Sequence, residues 1–139
     1  MKVVLGVDGS PASMKAVECV ADFADAIASV LVIAAVHTGL AMPDSELVRI
    51  ERETAEGHVR DATAKLAALG TRVTFRVIDG DPRQVLVDTA RTENADLLVV
   101  GSRGRTGIAR LLLGSVASHV AGHAPCSVFI ARGRESQGA

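Results

Sequence analysis

The run Gly101-Ser102-Arg103-Gly104-Arg105-Thr106-Gly107-Ile108-Ala109-Arg110-Leu111-Leu112-Leu113-Gly114-Ser115 holds the residue types best suited to gripping an anion. Gly101 and Gly104, three apart, let the main chain approach a ligand closely because neither carries a Cβ. Gly114 makes a second glycine turn, and the Ser115 hydroxyl after it can cap the next helix. Amides of such a loop and of a helix N-terminus converge on phosphate oxygens, with the helix dipole adding ~0.5–1 kcal/mol. Arg103, Arg105 and Arg110 add guanidinium forks that match phosphate oxygens, although Arg110 reads more simply as a solvated surface cation. No lysine is needed in this arrangement.

Three other groups invite chemistry. Asp8, Gly9 and Ser10 leave the first apolar run, where a carboxylate and main-chain groups would face a ligand; the same residues also suit an ordinary helix-starting turn. Val36, ending the second apolar run, is placed to offer main-chain hydrogen bonds to a nucleobase edge, or is a plain core valine. His119, His123 and Cys126 suggest a metal, since i,i+4 histidines share a helix face. Pro125 separates them from the thiol and no fourth ligand is evident, so capping and packing explain that segment better and no metal ligand is assigned.

The elements that must position these groups follow from periodicity. Five runs rich in Val, Ile and Leu, at 3–7, 30–36, 72–78, 97–100 and 127–131, alternate with segments of helical period. Alternation of this kind predicts an α/β fold with a doubly wound, five-stranded parallel sheet and helices on both faces. The third run alternates Arg72, Thr74 and Arg76 with Val73, Phe75 and Val77, so it belongs at a sheet edge. Ser10-Pro11 starts a helix with Met14, Val17, Ala21, Ala24 and Ile27 at helical spacing. A second helix runs from about Asp44 to Leu69 with Val59, Ala62, Leu66 and Leu69 in a stripe, and Gly70 ends it. Gly80-Asp81-Pro82 launches a third, and a fourth follows Ser115 and stops before Pro125. Right-handed crossovers favour the flavodoxin-like order 3-2-1-4-5, whose ligand crevice lies where the order reverses, between strands one and four.

The G-x2-G-x9-G-S pattern, the opening Val3-Val4-Leu5-Gly6-Val7-Asp8-Gly9-Ser10-Pro11 and the closing His123-Ala124-Pro125-Cys126-Ser127-Val128 together resemble the universal stress protein family over nearly the whole chain. The resemblance implies the same strand order and a site for ATP or AMP. It implies that Asp8 and its neighbours lie beside ribose and adenine, that Gly101 and Gly104 border ribose and phosphates, and that Gly114, Ser115 and Val116 complete the phosphate site. It also implies homodimers formed through the last strand, Ser127, Val128, Phe129, Ile130 and Ala131. Mg2+ or Mn2+ would accompany the phosphates.

Bulk properties bound the alternatives. At 139 residues, residues 1–132 form one domain and 133–139 a polar tail expected to fray. A net charge of −1 and 2% aromatic residues argue against nucleic acid or a membrane as partner. Two cysteines outside any C-x-x-C pair, and a first segment without leader character, point to a reducing compartment and a cytoplasmic protein. There is no G-x4-G-K-[ST] loop, no G-x-G-x2-G after the first strand and no S-G-G-x-D-S loop. The family resemblance implies nucleotide binding that serves a stress response, and the missing motifs leave room for at most weak ATP hydrolysis. Two alternatives are a slow ATPase or phosphoryl- or adenylyl-transfer enzyme, and a dimerisation module that binds no nucleotide.

Overall fold

A computed structural model describes residues 1–37, 39, 42–104 and 113–133. Strands β1 (Lys2–Gly6), β2 (Ser29–Val36), β3 (Val73–Asp79), β4 (Leu97–Gly101) and β5 (Ser127–Ala131) form one parallel sheet in the order β3-β2-β1-β4-β5, as the sequence pattern predicts. Helices α1 (Pro11–Asp22) and α2 (Glu46–Ala67) cover one face, and α3 (Pro82–Thr92) and α4 (Ser115–His123) the other.

Strand alternation sends Val3, Leu5, Val30, Val32 and Val99 toward α1 and α2, and Val4, Leu31, Ile33, Leu98 and Val100 toward α3 and α4. The three central strands are thus buried on both faces, which is why they read as unbroken apolar runs. β3 lies at an edge with Thr74, Phe75 and Arg76 exposed. Three helices start on side-chain caps. Ser10 Oγ accepts from the Ser13 amide at 3.1 Å, Ser45 Oγ from Val48 at 3.2 Å, and Asp81 Oδ1 from Arg83 at 2.9 Å.

Four expectations change. The first helix ends at Asp22, so Ala24 falls in a short 3-10 turn and Ile27 in the extended residue after it rather than on α1. Met14 is 38% exposed, and the buried face of α1 is Ala12, Ser13, Ala16, Val17 and Val20. The cause is close approach: a Cβ on Gly101 would lie 2.6 Å from the Ala12 carbonyl carbon, so only small residues fit where α1 meets β4. Leu69 is exposed because α2 ends at Ala67, ahead of Gly70 at φ +80°, and Ala55 extends the buried stripe instead. Ser115 is the first helical residue of α4 rather than its cap. Gly114 takes the cap position, its carbonyl accepting the Ser118 amide at 3.0 Å, and among the described residues no side chain caps this helix. The expected tail lies outside the described residues beyond Gly133.

Candidate functional site

A cavity of about 240 Å³ opens at the carboxyl ends of β1 and β4, where strand order reverses. Gly6, Val7 and Asp8 line it from β1 and its following turn, and Val100, Gly101, Arg103 and Gly104 from β4 and the segment after it. The start of α4 contributes Gly114, Val116 and Ala117, and α1 contributes Ser13. β2, α2 and α3 supply Ala35, His37, Glu51, Pro82 and Leu86.

The Asp8 turn is tightly organised. Asp8 Oδ1 accepts the Ser10 amide at 3.0 Å, and the Asp8 amide donates to Ser13 Oγ at 3.1 Å. The other carboxylate oxygen, Oδ2, lies 3.1 Å from where a Cβ on Gly104 would stand. Ser10 is buried; its hydroxyl serves α1 as cap and donates to the Arg103 carbonyl at 3.4 Å, so it joins the first turn to the segment after β4. Gly9 is exposed outside the cavity, at φ +79°.

The segment after β4 is anchored in turn. The Ser102 amide donates to Ala131 at 2.8 Å, and the Ser102 carbonyl accepts the Gly114 amide at 2.8 Å. This places the start of α4 beside Arg103 and Gly104: a Cβ on Gly114 would meet the Arg103 Cα at 3.2 Å and the Gly104 nitrogen at 3.4 Å. Arg103 is half-buried on the cavity wall and forms no ion pair among the described residues. A helix start without a side-chain cap and a guanidinium without an ion pair, both among the described residues, stand beside a glycine pair and make an anion-receptive wall, since amide hydrogens and the dipole's positive end face the same space.

Six of the ten residues singled out in the sequence therefore share the cavity: Asp8, Gly101, Arg103, Gly104, Gly114 and Val116. Gly9, Ser10, Ser115 and Val36 do not line it. Val36 points its side chain into the core against α2, its carbonyl accepts the Gly80 amide at 2.9 Å, and its neighbours Ala35 and His37 face the cavity. Arg105 and Arg110 lie outside the described residues. His37 was signalled only by standing next to Val36 at a strand end. Pro82 and Leu86 read as a helix start and a core leucine, and Glu51, in the polar first half of α2, had no signal. His119 and His123 stack with ring centroids 4.1 Å apart, and His123 Nδ1 lies 2.8 Å from the His119 carbonyl oxygen. No group of three or more His, Cys, Asp or Glu placed to hold a metal occurs among the described residues. No helix among them is long and apolar enough to cross a membrane.

Comparison with known proteins settles the lineage. Residues 1–132 match the family described as "Universal stress protein family". The chain belongs to the universal stress protein family. A universal stress protein of Mycobacterium tuberculosis is 36% identical over 138 residues, covering 92% of this chain and 93% of that protein. Among solved structures, universal stress protein UspA from Lactobacillus plantarum aligns with a TM-score of 0.85 at 25% identity, covering 95% of this chain and 97% of its own. A universal stress protein in complex with cAMP aligns at 0.71 with 30% identity, covering 94% and 95%. Family proteins from Arabidopsis thaliana with AMP bound and from Archaeoglobus fulgidus with dAMP, at 18% and 21% identity and TM-scores of 0.72, share the fold.

Proposed function

We propose that this universal stress protein binds an adenine nucleotide in the cavity between β1 and β4 and that the bound state regulates a cytoplasmic stress response. The observation that carries the reading is the start of α4. It is the one described helix of eight or more residues without a side-chain cap, and it opens on a cavity also lined by Arg103, Gly104 and Asp8. Phosphates supply the missing acceptors for its first amides. The cAMP-bound relative at 30% identity supports an adenylate as the ligand.

On this reading Arg103, Gly104, Gly114, Ser115 and Val116 surround the phosphates, Ser115 and Val116 through main-chain amides and Gly114 through the close approach that its missing side chain allows. Asp8 meets the sugar, with Gly9 and Ser10 shaping its turn and Gly101 closing the floor. Ala35, His37, Pro82 and Leu86 enclose the base beside Val36. Binding rather than turnover is the function. ATP and AMP are the expected ligands, and a Mg2+ or Mn2+ ion would be held chiefly by the phosphates. The protein works as a homodimer joined through β5.

Mass spectrometry of the small molecule that copurifies with the native protein, followed by calorimetric titration with ATP, AMP, cAMP and adenosine, tests the proposal. Micromolar binding of a phosphorylated form, with adenosine much weaker, is the expected result. Absence of binding by all four at millimolar concentration overturns it in favour of a dimerisation module. Sustained phosphate release over many turnovers, lost in Asp8→Ala, would favour the enzyme.

A further inference from the structure

The turn that carries Asp8 is held from a second side. A Cβ on Gly9 would lie 2.2 Å from Cε1, 2.4 Å from Nε2 and 2.8 Å from Nδ1 of His58. The His58 imidazole therefore rests on the Cα of Gly9, and the position excludes a side chain both by its φ of +79° and by the ring above it. His58 is half-buried on α2. It shares a helix face with Glu51, on the cavity wall, and with buried Ala55, at i, i+4 and i+7 spacing.

Glycine visits both signs of φ readily, so hydrogen bonds to the residues on either side leave the Gly9 link itself loose. Ser13 and Ser10 tie Asp8 to α1, and the ring on Gly9 removes the remaining freedom from the opposite side. With Oδ1 committed to the Ser10 amide, Oδ2 faces Gly104 and has no hydrogen bond among the described residues. Resting on the nucleotide reading above, we propose that His58 is a positioning residue for the ligand site: its ring clamps the Gly9 link from α2 and so presents Asp8 to the bound nucleotide in one geometry. Order installed before binding need not be imposed by the ligand, so affinity should depend on a residue that never touches it.

The test compares wild type, His58→Ala and His58→Phe by AMP titration and by hydrogen exchange at the Ser10 amide without nucleotide. His58→Ala should weaken AMP by about fivefold or more, within the range for residues coupled by direct contact, and should speed Ser10 exchange. His58→Phe, which keeps a flat ring on Gly9, should restore both. Unchanged affinity in His58→Ala, or a loss that Phe does not rescue, overturns the proposal. Should wild type bind none of ATP, AMP, cAMP and adenosine, the functional reading fails by itself. The exchange arm still decides the clamp: faster exchange in His58→Ala upholds it, and unchanged exchange ends it.

Discussion

A β-carbon at Gly101 would stand 2.6 Å from the Ala12 carbonyl carbon, 2.7 Å from the Ser13 nitrogen and 2.8 Å from the Ala12 oxygen, all main-chain atoms of α1 that cannot rotate away. At Gly104 the nearest atom is Asp8 Oδ2 at 3.1 Å, the end of a side chain on the cavity wall. Two glycines of one motif thus have different reasons. Gly101→Ala should destabilise the fold by about 3 kcal/mol, at the upper end of overpacking costs, measurable by urea unfolding. Gly104→Ala should change stability by less than about 0.5 kcal/mol, the range of substitutions that need no backbone shift, yet lower AMP affinity in titration. The reverse ordering of the two stabilities would contradict the assignment. Arg103→Ala should weaken ATP and AMP by about tenfold, as for a lost hydrogen bond to a charged group, while leaving adenosine binding unaltered. Equal losses for adenosine and ATP would place the guanidinium away from the phosphates. The sequence reveals that Gly101 and Gly104 matter but not the division between them, because the contact that demands Gly101 comes from a helix some 90 positions earlier.

At the scale of elements, local chemistry proved the most readable. Ser10-Pro11 and Asp81-Pro82 start α1 and α3 as their residue types predict, since a cap and an N1 proline act within one turn. Apolar runs likewise located the five strands and charge alternation the β3 edge, while the strand order followed from crossover handedness and the family resemblance. What stayed hidden depends on contacts between elements: the rotation of α1 that exposes Met14, the His58 ring on Gly9, and the Glu51 side chain at the cavity. Asp81 shows how far a local reading extends. Hydrogen bonds from the Arg83 side chain, and then from its amide, hold the Asp81 carboxyl at about 2, below its ordinary 3.8. A folded value below the unfolded one means that this stabilisation is complete above about pH 4 and disappears as pH falls through about 2. Asp81→Ala should therefore cost about 1 kcal/mol near neutrality, the usual worth of a helix cap, and progressively less on acidification toward pH 2. Asp81→Asn, which keeps a cap acceptor without the charge, should lose less at pH 7. Chemical denaturation across this pH range checks both, and a pH-independent cost for Asp81→Ala would refute the linkage.

For the whole molecule, the two sheet edges differ in what they offer a partner. At β3, Arg76 pairs with Glu93 at 2.7 Å and Asp79 pairs with Arg52, so the edge carries charge that discourages strand addition. β5 has no charged residue in Ser127–Ala131, and among the described residues it pairs only with β4, leaving its outer ladder of amides and carbonyls for another chain. Phe129 is 38% exposed on the α1 face, its ring 5.8 Å from that of Phe23, so the β5 edge presents an apolar aromatic pair beside backbone that is unpaired among the described residues. Two copies related by a two-fold axis would join these edges antiparallel, bringing the exposed phenylalanines together in a self-complementary contact. Phe129→Asp introduces like charges facing each other across that contact and removes its apolar area. The substituted chain should elute as a monomer at concentrations where wild type elutes as a dimer, with unchanged far-ultraviolet circular dichroism because the inward contacts of Val128 and Ile130 remain. A dimer of undiminished stability in Phe129→Asp would move the interface away from β5. Because Ala131 accepts the Ser102 amide, β5 is also tied to the segment bearing Arg103 and Gly104. A ligand that orders that segment should therefore tighten the dimer, and by linkage the dimer should bind nucleotide more tightly than the monomeric variant.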